Sequence, residues 1–103
     1  MNRYITRGIV QNLPTALQHQ LWQLVAQREN EQSNELEEID YFHFFQFNMH
    51  NNQLYVKHKQ ERPEYVKIHK ANYSKDLNIN KVYIIREDDV DLSYYVMLLP
   101  EEY

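Results

Sequence analysis

Residues 40–50 read DYFHFFQFNMH, and all four phenylalanines of the 103-residue chain lie within six consecutive positions of that stretch, Phe42 to Phe47. Its reading decides what lies inside this protein and what is left to face a partner. The segment is followed by HNNQ and then by LYVKHKQER, so Asn51 and Asn52, which tolerate positive φ, are expected to make the turn of a β-hairpin. Alternate residues of a strand share a face, which puts Tyr41, His43, Phe45, Phe47 and Met49 on one side. Phe42, Phe44, Gln46, Asn48 and His50 take the other. The first face is apolar for longer, so Phe45, Phe47 and Met49 are expected beneath a helix, each large aromatic contributing roughly 2 to 3 kcal/mol through burial. Phe42 and Phe44 are either covered by a loop where the sheet curls or left as an apolar patch of the kind that marks an interaction site.

Downstream the chain keeps reading as strands. Pro63, which lacks a backbone donor, separates VKHKQER from EYVKIHK and suits an edge bulge or a corner between two strands. ANYSKDLNIN is a loop rich in turn formers, and KVYIIRE and SYYVMLL are two more strands divided by the acidic turn DDVDL. Upstream, residues 28–38 gather acids with Asn, Gln and Ser and lose all period, as a solvated linker does. Before it, NLPTALQHQLWQLVAQREN carries Leu17, Leu21, Leu24 and Val25 at the spacing of one apolar helical stripe, with Pro14 in the first turn and an end near Asn30. Arg28 falls on the edge of that stripe and is expected to send its charge to water. RYITRGIV, residues 3–10, reads as a first strand, with Gly8 at a bulge or a close backbone approach. The expected fold is α+β: one domain over residues 1–103, a single amphipathic helix packed on a curved antiparallel sheet, in the order strand, helix, strands.

Composition excludes several chemistries. One glycine, Gly8, rules out phosphate cradles and dinucleotide fingerprints, and none of the three serines sits in a nucleophile elbow. With no cysteine there are no thiolate ligands or nucleophiles and no disulfides. No apolar run is long enough for a signal peptide or membrane span, so a cytoplasmic address is the default. His19, His43, His50, His58 and His69 show no metal-ligand spacing, although His58 and His69 fit positions facing each other on neighbouring strands. The acids cluster at 28–40, 87–91 and 101–102, wet places for acid–base catalysis, so neither an enzyme nor a cofactor is expected.

Two features point to partners. From Ile9 to Gln27, nineteen residues pass without Asp, Glu, Lys or Arg, so the outer face of the helix is expected to consist of Gln18, His19, Gln20, Gln23 and Gln27. Interface cores are depleted of charge and enriched in aromatics, and Trp22 lies at the rim of the stripe. Gln18, Trp22, Gln23, Phe42 and Phe44 are therefore the candidate contacts for another protein or a second copy of the chain. Residues 57–81 hold seven basic side chains against three acidic ones in a chain of net charge −4. Lys57, Lys59, Arg62 and Lys67, with Tyr55 and Tyr65, are the alternative candidates, as a strip for single-stranded nucleic acid. The same lysines also fit the solvent face of an ordinary hairpin. A small-ligand pocket between helix and sheet is a third expectation.

RYITRGIV, LPTALQHQLWQLV, DYFHFFQF, QERPEY and the final YVMLLPEEY, in that order, resemble a family of short Firmicute proteins, the staphylococcal domain of unknown function. The resemblance implies a small bacterial, prophage-associated protein with a cystatin-like arrangement of one helix across a curved sheet. It implies no activity and brings no catalytic residues.

Overall fold

The computed structural model describes residues 2–32 and 40–103. Six strands form a single sheet: β1 (Asn2–Ile5), β2 (Phe42–His50), β3 (Gln53–Glu61), β4 (Glu64–Lys70), β5 (Lys81–Asp88) and β6 (Ser93–Leu98). Across the sheet they run β1-β6-β5-β2-β3-β4. Every neighbouring pair is antiparallel except β1 with β6, which is parallel, so the sheet is mixed rather than antiparallel throughout. Two helices, α1 (Arg7–Asn12) and α2 (Thr15–Gln32), follow β1. The α+β class thus stands, but the sheet is mixed, two helices replace the single one expected, and nothing establishes a cystatin-like order. Much of the acidic linker expected at 28–38 lies outside the described residues.

The β2–β3 hairpin closes as its sequence requires, with Asn51 and Asn52 at φ 50° and 64° and His50 opposite Gln53. That register lines up Phe45, Phe47, Leu54, Val56 and His58 on one face. α2 lies against this face with Leu17, Leu21, Trp22, Leu24 and Val25, and Val82, Ile84, Tyr95 and Met97 complete the core. Phe45 and Phe47 are buried as expected, but Met49, near the end of its strand, is 42% exposed. The layer between α2 and the sheet is packed, with Leu17, Leu21, Val56, Val82, Ile84 and Met97 fully enclosed, so protein side chains fill the space where a ligand pocket was expected.

RYITRGIV does not remain a strand to its end. Thr6 sits extended (φ −79°, ψ 168°) and its side chain accepts from the Ile9 amide, the geometry of a helix N-cap, so residues 7–12 wind into α1. The last residues of the chain complete this corner. A 3₁₀ turn, Pro100–Glu102, brings the Glu102 carboxylate to the Thr6 hydroxyl (2.6 Å), the Gly8 amide (3.1 Å) and the Leu99 amide (2.9 Å). A Cβ on Gly8 would lie 2.7 Å from Glu102 Oε1 and 2.8 Å from Leu99 Cδ1, so the glycine serves a close approach and not a bulge.

Pro63 lies in the β3–β4 turn, after a cis peptide bond from Arg62. Asp40 holds this turn, its carboxylate accepting from the amides of Glu61 (3.2 Å), Arg62 (3.1 Å) and Phe42 (3.0 Å).

Candidate interaction surface

Both helices pack on one side of the sheet. The opposite face presents Phe42, Phe44, Gln46 and Asn48 of β2, Tyr83 and Ile85 of β5, Val96 of β6 and the odd-numbered residues of β3, including Tyr55, Lys57 and Lys59. Of the two outcomes foreseen for Phe42 and Phe44, neither is complete. Their rings stack on each other at 4.4 Å between centroids and meet Tyr83 edge-on at 5.3 and 5.2 Å. Tyr103 folds back against Phe42 and Tyr83, yet stays 75% exposed itself, so the cluster is half-covered. Beside it lies a shallow depression of about 180 Å³ lined by Phe44, Gln46, Lys59, Glu61, Lys81 and Tyr83. Toward the far edge Val66 and Ile68 of β4 are 49% and 62% exposed on the same face. Rigid aromatic anchors with amides and lysines around them suit recognition of another molecule.

The helix-side candidates are placed differently. Trp22 is 8% exposed, edge-on to Tyr95 with the Arg3 guanidinium over its ring, so it belongs to the core and not to a contact rim. Gln18 donates to the Leu13 carbonyl (2.8 Å) and is half-buried, whereas Gln23 is exposed. Gln20, expected on the outer face, is buried instead. Its amide donates to the Lys70 carbonyl and its oxygen accepts from the Asn72 amide, both at 2.7 Å, tying α2 to the end of β4.

The nucleic-acid candidates divide between the two faces. Tyr55, Lys57 and Lys59 share the uncovered face, but Lys67 pairs with His58 and Tyr65 with Gln60, so both lie on the helix side. Arg62 is exposed in the β3–β4 turn. Tyr65 is also engaged: the Arg28 guanidinium stacks over its ring at 4.0 Å. Arg28, expected to reach water, is 6% exposed, with Nε donating to Gln60 Oε1 at 2.7 Å and Gln60 donating in turn to the Asp40 carbonyl.

A buried polar chain that sequence reasoning missed lies next to Arg28. His43 Nε2 meets Glu29 Oε2 at 3.0 Å, His43 Nδ1 meets His58 Nε2 at 2.9 Å, and the Tyr95 hydroxyl donates to Glu29 Oε1. The two imidazoles and the carboxylate thus form one continuous hydrogen-bonded run from β3 through β2 to α2. Burial, then the fields of His43, His69 and Arg28, lower the His58 pKa to about 3, so this imidazole stays neutral. Burial and the bond to Glu29 raise that of Tyr95. His43 and His58 are fully enclosed, and none of these four side chains lines the depression, so the chain fastens the end of α2 to β2, β3 and β6 rather than meeting a substrate. Its one sequence signal was the parity of His43 with Phe45. His58 and His69, considered as a facing pair, sit in register with Lys67 and Val56 instead. Among the described residues no group of three or more His, Asp or Glu is placed to hold a metal ion, and no helix is long and apolar enough to cross a membrane.

These features define a two-layer α+β protein whose sheet is roofed by helices on one side and, among the described residues, carries no helix across the strands of the other. The chain belongs to the family described as "Staphylococcal protein of unknown function (DUF960)", whose model matches residues 2–102. It is similar in fold to a solved structure titled "Crystal structure of the protein of unknown function from Enterococcus faecalis", with a TM-score of 0.78 and 19% identity over 99% of this chain and 90% of that one. No curated protein matches the chain.

Proposed function

We propose that the protein is a non-enzymatic interaction module whose working surface is the uncovered sheet face, and that its partner is an acidic polypeptide segment with an apolar anchor. The observation that carries this reading is the half-covered aromatic cluster of Phe42, Phe44 and Tyr83 on a sheet whose helices, among the described residues, lie on its other face. Lys57, Lys59 and Lys81 border the cluster and would attract carboxylates, while the depression between Phe44 and Tyr83 is of a size for one side chain. Phe42 and Phe44 remain the central contacts. Trp22, Gln18 and Gln23 lie on the helix side, and of these only Gln23 is exposed.

Fluorescent acidic peptides bearing a single Leu or Phe, with basic peptides of the same pattern as controls, test the reading by polarisation. Acidic peptides should bind and basic ones should not, and Phe44→Ala or Lys59→Glu should weaken binding while Gln23→Glu leaves it unchanged. Equal weak binding of both peptide sets, or loss through Gln23, would refute it.

A second reading, single-stranded nucleic acid on the same face, is favoured by Tyr55 lying in line with Lys57 and Lys59. It requires affinity that falls steeply with salt and on charge removal at Lys57 and Lys59, with Lys67 contributing less because it faces the other way. The absence of any oligonucleotide shift at low salt removes it.

A further inference from the structure

We propose that two copies of the chain join through the outer edge of β4, antiparallel, about a two-fold axis at Lys67. β4 pairs with β3 on one side and, among the described residues, with no strand on the other. The Ala71 amide donates to the Leu54 carbonyl at 2.9 Å, one step beyond the Tyr55–Lys70 pair. Antiparallel hydrogen-bonded pairs alternate, so His69, Lys67 and Tyr65 also turn their backbone groups toward β3. The amides of Glu64, Val66, Ile68 and Lys70 and the carbonyls of Glu64, Val66 and Ile68 therefore point to the free edge and are the ones a second strand can use, while the Lys70 carbonyl already accepts from Gln20.

Which register a second copy takes follows from the side chains. With Lys67 on the axis, Val66 stands opposite Ile68 of the other copy and Glu64 opposite Lys70, each pairing occurring twice by symmetry. Val66 and Ile68, 49% and 62% exposed on the uncovered face, then cover one another as cross-strand apolar pairs, and both charges at the ends of β4 meet their opposites. Sliding by two residues in either direction puts Glu64 against Ile68 or Lys70 against Val66, so apolar side chains face charges and the ion pairs are lost. One feature opposes the arrangement: Lys67 meets its own copy on the helix side, which keeps the association modest, as lysines on exposed edges do. The contact is isologous and uses each β4 edge once, so this edge builds a dimer and no further. A two-fold axis perpendicular to the sheet leaves both uncovered faces on the same side, forming one longer surface. Such a dimer does not require that this surface bind anything.

Light scattering on a sizing column, from micromolar to millimolar chain, tests the pairing. The native chain should pass from monomer to dimer with concentration. Glu64→Lys and Lys70→Glu should each raise the dissociation constant about tenfold, and the two together should restore it. Lys67→Gln should tighten the dimer. Ile68→Pro should abolish it, since it removes an outward amide and no bond to β3, with a thermal melt showing that the fold survives. Should that variant unfold, the charge exchanges decide alone, because both side chains are exposed. A monomer at every concentration, or a dimer weakened further by the double exchange than by either single one, overturns the proposal and leaves the peptide test of the sheet face untouched.

Discussion

Gly8 and Glu102, at opposite ends of the chain, are one structural device. Gly8 has no positive φ, so its role is size alone: any Cβ there displaces the carboxylate that caps α1 or presses on buried Leu99. Gly8→Ala should destabilise the fold by about 1 to 3 kcal/mol despite alanine's better helix propensity, measured as a lower urea midpoint. The loss should shrink in a Glu102→Ala background, where the crowding atom is gone, and this non-additivity separates steric conflict from a change in helix propensity. His58 gives a second test at this scale. An unfolded histidine takes up a proton near pH 6.5, but the folded chain holds His58 neutral down to about 3. Below pH 6.5 the unfolded state therefore binds more protons than the folded one. The stability associated with His58 is complete above that pH and declines steadily toward pH 3. Thermal melts from pH 7.5 to 4 should show a falling Tm, and His58→Gln, which retains a neutral donor, should flatten the slope while lowering the starting value.

Elements whose reasons are local were legible in the sequence. The hairpin of β2 and β3 is one, because Asn51 and Asn52 carry their own turn preference. Asn52→Gly should raise stability by about 0.5 kcal/mol, and Asn52→Ala should lower it by about 1 kcal/mol, since φ of 64° favours glycine over any residue with a Cβ. Equal effects of the two substitutions on the urea midpoint would contradict that account. α2 was legible from its leucines, although Gln20, Arg28 and Gln32 are buried within it and blur its polar face. The first strand was half legible. Its β-branched residues announced β1, but the helix that replaces its second half depends on Thr6 with a carboxylate from the far end of the chain, which no local pattern contains. Arg28 and Trp22 were misjudged for a related reason. A helical wheel places side chains around an axis, whereas Tyr65, Gln60, Tyr95 and Arg3, which enclose these two, come from strands distant in sequence.

Across the whole molecule the phenylalanine segment divides the protein into two surfaces with opposite duties. Parity along β2 assigned the four rings to their faces before any pairing was known, yet it had no means of saying how far the second face is covered, because Tyr103 and Tyr83 arrive through the order of the strands. If the roofed face supplies stability and the bare face supplies recognition, neighbouring residues should respond to the same substitution in different ways. Phe45, 1% exposed beneath α2 and stacked on His58 at 4.4 Å, should lose about 3 to 5 kcal/mol on Phe45→Ala, through lost transfer energy and the cavity left behind. Phe44 keeps one side of its ring toward solvent, so Phe44→Ala leaves a notch that water can enter. It should lose only about 1 to 2 kcal/mol, most of it from the stack on Phe42 and the edge contact with Tyr83. Urea unfolding of the two variants, compared at a common slope, measures the difference directly. Equal losses would mean that the second face is as enclosed as the first, and a surface that buried has no room for a partner.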